Sequence, residues 1–137
     1  MNDQQRYMLD TNTVSYIIKG TYPKISEHLR KLPISSICIS AISEAELLTG
    51  LAKKPKAKKL HLAVHEFLIR VDILEWDSKV AKTYADLRTS CESIGKPLGT
   101  MDMLIAAHSL SANTKLITND KAFYNVSKLL NLQDWSK

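Results

Sequence analysis

Short apolar runs alternate along this chain with longer segments in which apolar side chains recur at helical spacing. The runs at 7–9, 37–39 and 115–118 have the apolar, often β-branched character of buried strands, and 72–76 is a possible further short strand. Strands that alternate with helices imply a parallel sheet covered on both faces. The pattern therefore predicts an α/β fold.

Helical spacing is clearest in four segments, with a shorter helix expected near the end of the chain. The four segments are 41–50, 60–71, 80–94 and 100–112, and the shorter helix is expected at 122–125. Gly50 is a possible helix end and Gly95 is a plausible C-cap. Pro97 and Gly99 break the chain before a helix that has Asp102 near its start.

Length and composition favour a compact protein of the cell interior. A chain of 137 residues predicts a single domain, 1–137, with a core that needs no disulfide. Cys38 and Cys91 match neither a metal-ligand spacing nor a disulfide framework, which indicates core thiols in a reducing compartment. The start of the chain is polar, and no apolar run approaches membrane-spanning length. We expect a cytoplasmic protein with no membrane partner.

The charge balance favours an acidic partner. The chain has 19 basic and 14 acidic side chains, a net charge of +5, and nucleic acid is the first partner that such a balance suggests. Five lysines crowd one short stretch around Pro55: Lys53, Lys54, Lys56, Lys58 and Lys59. This run either contacts RNA phosphates or is a solvated turn.

Four acids fall at corresponding places in the predicted elements. Asp10 follows the first strand, and Glu46 lies in the helix after the second. Asp102 lies in the first turn of its helix, and Asp120 comes just after the last predicted strand. In an open α/β sheet, strand ends and the following helix starts meet at one edge, where ligands bind. These acids could therefore converge on one patch.

Each acid also has a purely structural interpretation. Asp10 and Asp120 could cap helices or form turns, and Glu46 could close a capping box with Ser43. Four carboxylates in one patch would repel one another, so a cluster needs a counter-charge. Mg²⁺ binds oxygen ligands, and such an ion can activate water and offset charge on a phosphodiester. The pattern thus indicates metal-dependent cleavage of nucleic acid.

The stretches around these acids resemble a known family. They are YMLDTN (7–12), ISAISEAELLTG (39–50), GTMDMLIAAHSL (99–110) and LITND (116–120) followed by AF. In this order, over nearly the whole chain, they resemble PIN-domain nucleases and, among these, the VapC toxins of VapBC toxin–antitoxin pairs. LNLQDW (130–135) is loosely similar to the end of VapC chains that act on initiator tRNA.

The resemblance implies a three-layer α/β/α fold with a central parallel sheet. It implies an acidic pocket that holds Mg²⁺ or Mn²⁺ and endonucleolytic cleavage of structured RNA, most often tRNA, which inhibits translation. It also implies a homodimer, a VapB-like antitoxin that blocks the site, and a larger assembly of toxin with antitoxin. DNA would be contacted only through the antitoxin.

By position in the matching motifs, the family's functional residues can be carried onto this chain. The catalytic and metal-site acids are Asp10, Glu46, Asp102 and Asp120; the supporting residues are Thr118, with Asn12 and Asn119 as neighbours. Glu44 competes with Glu46, because residues two apart on a helix point about 200° from each other. Apolar residues nearly surround this helix, so the motif match alone selects Glu46.

Two other functions remain open from the residues alone. A phosphatase of the haloacid-dehalogenase type would use Asp10 as nucleophile, but it needs a second Asp where this chain has Asn12. A non-catalytic RNA-binding module would keep the basic surface without needing the acids. We interpret His108 as a surface or partly buried residue rather than a base, and Trp135 as a core or interface anchor.

Overall fold

A parallel sheet forms the centre of the protein. The computed structural model describes residues 4–96 and 98–137, so the predicted break at Pro97 and the first three residues of the polar start lie outside it. The strands are β1 (Tyr7–Leu9), β2 (Ile37–Ser40), β3 (Asp72–Leu74), β4 (Lys115–Ile117) and β5 (Leu132–Gln133). All pair in parallel in the order β3-β2-β1-β4-β5. The predicted α/β class is confirmed.

Helices cover both faces of this sheet. They are α1 (Thr11–Lys19), α2 (Pro23–Arg30), α3 (Ala41–Ala52), α4 (Lys58–Arg70), α5 (Ser78–Ser93), α6 (Thr100–Ser111) and α7 (Lys121–Tyr124). Side chains of one strand alternate between the faces: Met8 packs in the core beneath α5 to α7, and Leu9 packs in the core beneath α1 to α4. The expected α/β/α arrangement of three layers is therefore confirmed.

Several elements differ from the sequence prediction. Helices α1 and α2 and strand β5 were not predicted. β5 has only two residues. It forms because the backbone groups at the free edge of β4 need hydrogen-bond partners: Leu116 N donates to Asn131 O (2.8 Å) and Thr118 N donates to Gln133 O (3.1 Å). Gly50 does not end α3 but lies inside it, although a glycine there destabilises a helix by about 1 kcal/mol relative to alanine.

The predicted C-cap at Gly95 is confirmed. Gly95 has φ +68°, a conformation that favours glycine, and its N–H bonds to Glu92 O while Lys96 N–H bonds to Cys91 O. This pair of bonds is a Schellman motif. The helix therefore stops where the chain must turn back toward α6.

The two cysteines are buried, as predicted. Burial raises the pKa of Cys38 to about 11, and the pKa of the Cys91 thiol is also raised by burial. Thiols in this state are poor nucleophiles. No helix within residues 4–96 and 98–137 combines the length and apolar character that crossing a bilayer requires.

The order of the strands creates a crevice at one edge of the sheet. β1 lies at the centre, with β2 on one side and β4 on the other, so the chain after β1 and the chain after β4 leave from neighbouring strand ends. Such a point, where the strand order reverses, is where open α/β sheets bind ligands. Asp10 follows β1 and Asp120 follows β4, so both acids lie at the strand ends that border this crevice.

Candidate active site

Asp10 is both a helix cap and a buried acid of the crevice. It is only 4% exposed, and its Oδ1 accepts a hydrogen bond from Thr13 N (2.8 Å), which caps α1. Burial raises the pKa of Asp10, while the nearby Thr118 hydroxyl and the Thr13 N–H oppose that shift. The structural and functional interpretations of this residue therefore do not exclude each other.

Thr118 connects Asp10 to Asp120. Its Oγ1 accepts the backbone N–H of Asp120 at 3.1 Å, and its hydroxyl lies near enough to Asp10 to oppose the rise in the pKa of that carboxyl. Asp120 in turn caps α7, because its Oδ1 accepts from Ala122 N at 3.0 Å. Tyr124 adds a further support by donating its hydroxyl to Thr118 O (2.9 Å). One threonine thus fixes two acids relative to each other.

Glu46 is held toward the same crevice by the first turn of α1. Thr11 Oγ1 donates to Glu46 Oε1 at 2.6 Å and lies 3.0 Å from Ser43 Oγ. A hydroxyl has one proton, so Thr11 donates to the glutamate and accepts from Ser43. Ser43 does not cap α3, since the Ser40 side chain does so, and the capping-box interpretation is wrong. No such contact holds Glu44 among the described residues.

Asp102 shows that the four carboxylates share one electrostatic environment. It lies in the first turn of α6, where the helix dipole favours an anion. Burial, followed by the charges of Asp120, Asp10 and Glu46, raises the pKa of Asp102 to about 6. Acids from three other segments of the chain therefore lie near enough to Asp102 to act on it electrostatically.

The donor set of this patch fits a hard divalent cation. Carboxylate oxygens are the ligands that Mg²⁺ prefers, and this ion keeps several waters rather than requiring a complete protein cage. Within residues 4–96 and 98–137, no three His, Cys, Asp or Glu side chains stand around one point as a ready-made ligand group. A cation bound at this patch would therefore have to take most of its ligands from water.

The remaining predicted neighbours occupy different positions. Asn12 is exposed on the first turn of α1, whereas Asn119 is half-buried and its side chain opposes the rise in the pKa of Tyr16. Burial raises the pKa of Tyr16, and the charges of Tyr22, Asp10 and Asp120 add to this shift. Sequence reasoning missed Tyr16 because α1 itself was not predicted.

The lysine run is exposed, and only part of it approaches the acids. Lys54 lines a cavity together with Glu46 and with Lys19 at the end of α1, and Lys53 lines a second cavity that also reaches Glu46. The remaining lysines of the run, Lys56, Lys58 and Lys59, are exposed and line neither cavity. Lys19 carried no signal in the sequence, because it is isolated there.

His108 is more deeply buried than predicted. It is 2% exposed, and its Nδ1 lies 2.7 Å from the Oγ of Ser40 at the end of β2. Burial lowers the pKa of His108, which keeps the ring neutral. The contact with Ser40 ties α6 to the end of β2. This buried position indicates a structural role for His108 rather than a role as a catalytic base.

Comparison with known proteins gives a consistent result along the chain. The family model described as PIN domain matches residues 7–129. The chain is 35% identical over 133 residues to Ribonuclease VapC2 of Rickettsia felis, covering 96% of this chain and 98% of that protein. It is 32% identical over 132 residues to the tRNA(fMet)-specific endonuclease VapC of Shigella flexneri, with the same coverage.

The fold gives the same result. The crystal structure of VapBC2 from Rickettsia felis, bound to a DNA fragment from its promoter, superimposes with a TM-score of 0.86 at 33% identity. The match covers 96% of this chain and 99% of that chain. The similarity therefore extends through the helices that surround the four acids as well as the sheet.

Proposed function

Because this chain belongs to the PIN-domain family and, within it, to the VapC ribonucleases, we propose that it is a divalent-metal-dependent endoribonuclease that cleaves structured RNA. The observation that supports the proposal is the proximity of Asp120, Asp10 and Glu46 to Asp102, whose pKa their charges raise. The relatives named as ribonucleases align with nearly the whole chain, which supports the same activity.

Asp10, Glu46, Asp102 and Asp120 are the residues that would hold Mg²⁺ or Mn²⁺. When bound, such an ion makes water more acidic and offsets negative charge that develops on the phosphodiester. The chain's own part is to hold the carboxylates in place: Thr118 and Thr13 hold Asp10, and Thr11 holds Glu46. Asn12 and Asn119 are neighbours of these acids in the sequence.

Asp102 has a further task in this proposal. With a pKa of about 6 it carries a proton for part of the time near neutral pH, and a cation must displace that proton to bind there. Cation binding is therefore expected to strengthen as the pH rises through 6.

The products that we expect from cleavage of the RNA are a 5′-phosphate and a 3′-hydroxyl.

The test is an RNA-cleavage assay with Mg²⁺, with EDTA and with site variants. We expect Asp10→Asn and Asp102→Asn to abolish cleavage of a tRNA substrate, and EDTA to do the same to the wild type. Glu46→Gln and Glu44→Gln form a matched pair on one helix, of which only the first should lose activity. Cleavage by Asp10→Asn at the wild-type rate would refute the assignment.

Initiator tRNA is the proposed substrate. One relative is named a tRNA(fMet)-specific endonuclease, and that name supports testing the initiator tRNA and its anticodon stem-loop first. Sequencing of RNA ends after induction in cells would identify the substrate directly. RNA binding that needs no divalent ion and leads to no cleavage would instead indicate a binding module.

We also propose that the chain is the toxin of a toxin–antitoxin pair. VapBC assemblies are among the solved structures it resembles, one of them bound to promoter DNA, which supports a VapB-like partner. The homodimer and the DNA contact through the partner remain expectations from the resemblance. An arginine of the partner could pair bidentately with the carboxylates and exclude the cation. Expression of the chain alone should arrest growth, and co-expression of the neighbouring reading frame should relieve it; harmless expression alone would refute the toxin assignment.

A further inference from the structure

A groove runs between α1 and α3, away from the carboxylates. At one end Thr11 and Glu46 are joined by their hydrogen bond, and at the other end lie Lys19 and Lys54, each eight residues further along the chain. At 1.5 Å per helical residue, the two ends of the groove are about 12 Å apart along α1. The groove is therefore acidic at the end that faces the crevice and basic at the other.

The middle of the groove is apolar and open. Leu47, Leu51 and Val64 line it, and two small residues, Ser15 and Gly50, also face it. A Cβ added at Gly50 would meet no atom within 4 Å, so crowding does not explain a glycine inside this helix. The cavity holds about 170 Å³, less than the roughly 300–1,000 Å³ of sites for whole drug-sized ligands. It has room for one ring system but not for a base pair.

The two lysines are free to bind an anion. Both are exposed, and neither forms an ion pair within residues 4–96 and 98–137, where the ion pairs are Arg6–Asp72 and Arg88–Glu92. Lysine ammonium groups that lie together without a carboxylate partner attract phosphate. The only acid that shares their groove is Glu46, at its opposite end.

We infer that this groove is a subsite for an unpaired nucleotide next to the cleaved bond, with its base on the apolar floor and the adjoining phosphate between Lys19 and Lys54. The inference rests on the proposed function and deepens it, because it specifies the form of RNA that the site accepts. Unstacked bases of loops can be splayed out and bound in this way, whereas bases within a duplex cannot. The substrate is therefore an RNA loop, and the opening that Gly50 leaves is part of its recognition.

The experiment measures binding of a fluorescein-labelled RNA hairpin by anisotropy in EDTA, where the proposed cleavage cannot proceed. Lys19→Gln and Lys54→Gln should each weaken binding several-fold and reduce the slope of log Kd against log salt by about 0.7, the value for one contact with a single-stranded phosphate. Gly50→Leu should weaken binding about tenfold by filling the groove. Lys82→Gln on α5 is the matched control and should bind as the wild type does.

A second probe isolates the base. A hairpin with abasic sites in its loop should bind the wild type less well than the intact hairpin does. Gly50→Leu should not weaken binding of this abasic hairpin any further. Gly50→Ala fills less of the groove than leucine does, so it should weaken binding by less than Gly50→Leu. Thermal unfolding of both variants checks that they fold.

Unchanged hairpin binding by Lys19→Gln, Lys54→Gln and Gly50→Leu would overturn the subsite. Normal RNA binding with weakened binding of a co-expressed antitoxin would also overturn it, because the groove would then receive a protein segment. Failure of the wild type to cleave RNA in Mg²⁺ would refute the proposed function instead, and binding in EDTA is read separately from that result.

Discussion

Replacement of Asp102 by asparagine should make the protein more stable while abolishing its proposed activity. The pKa of Asp102 is raised from 3.8 to about 6, first by burial and then by three neighbouring carboxylates. At 1.36 kcal/mol per pKa unit, ionisation at neutral pH destabilises the fold by at most about 3 kcal/mol. Partial solvent screening and the loss of a favourable helix-dipole interaction reduce the expected gain to about 1–2 kcal/mol.

The gain in the free energy of unfolding from Asp102→Asn should decrease as the pH falls. Above pH 6, Asp102 is ionised in both the folded and the unfolded state, and the whole penalty is present. As the pH falls from 6 to 3.8 the folded state takes up its proton first, so the penalty fades, and below 3.8 both states are protonated. Asparagine resembles the protonated acid, so the difference between variant and wild type should disappear at low pH.

Urea unfolding in EDTA at pH 7.5 and at about pH 4 measures this difference. Asp86→Asn, on the exposed surface of α5, is the control and should change the free energy of unfolding by less than about 0.5 kcal/mol. Added Mg²⁺ should stabilise the wild type and narrow the gap, since a bound ion stabilises the folded state. If Asp102→Asn proves no more stable than the wild type at pH 7.5 in EDTA, the four acids do not form the repulsive cluster described above.

Three further predictions concern side chains that support the site and the core. Thr11→Val removes the hydrogen-bond donor to Glu46 and should lower Mn²⁺ affinity and cleavage by about 10–100-fold, as loss of an outer-shell partner does. Thr11→Ser should retain both. Equal Mn²⁺ titration curves for Thr11→Val and the wild type would contradict this prediction. Burial lowers the pKa of His108, so the unfolded state binds more protons and stability should fall as the pH drops below 6.5, a dependence that His108→Gln should reduce in urea unfolding curves. Trp135→Ala should destabilise the fold by about 3–5 kcal/mol, because this side chain is 1% exposed and packs against Tyr7 and His28; a shift below 1 kcal/mol in chemical unfolding would argue against a core role.

The local sequence was sufficient for the elements that carry strong patterns. β1, β2 and α6 each have enough apolar or β-branched residues to be recognised alone, and the place of Asp10 after β1 follows from the end of an apolar run. The caps at Asp10 and Asp120 also follow from local chemistry, because a side chain that accepts from a nearby N–H needs no distant partner.

Weak local patterns explain the elements that were missed. β5 has two residues and is a strand only because β4 offers it an unpaired edge, which no local window of sequence contains. The segment 11–33 carries α1 and α2, whose apolar residues become a recognisable face only when the core beneath them is known. Gly50 suggested a helix end, since nothing local shows that α3 continues for two more residues.

The sequence by itself determined which acids follow which strands and helices, and hence the family and the edge of the sheet where chemistry was expected. The motif match selected Glu46 over Glu44, and only the tertiary structure shows what holds Glu46 at the crevice, the hydroxyl of Thr11, 35 residues away along the chain. The pairing of Lys19 with Lys54 across one groove is of the same kind. Hydrogen bonds and fields act over a few ångströms of space, and chain folding, not sequence separation, sets those distances.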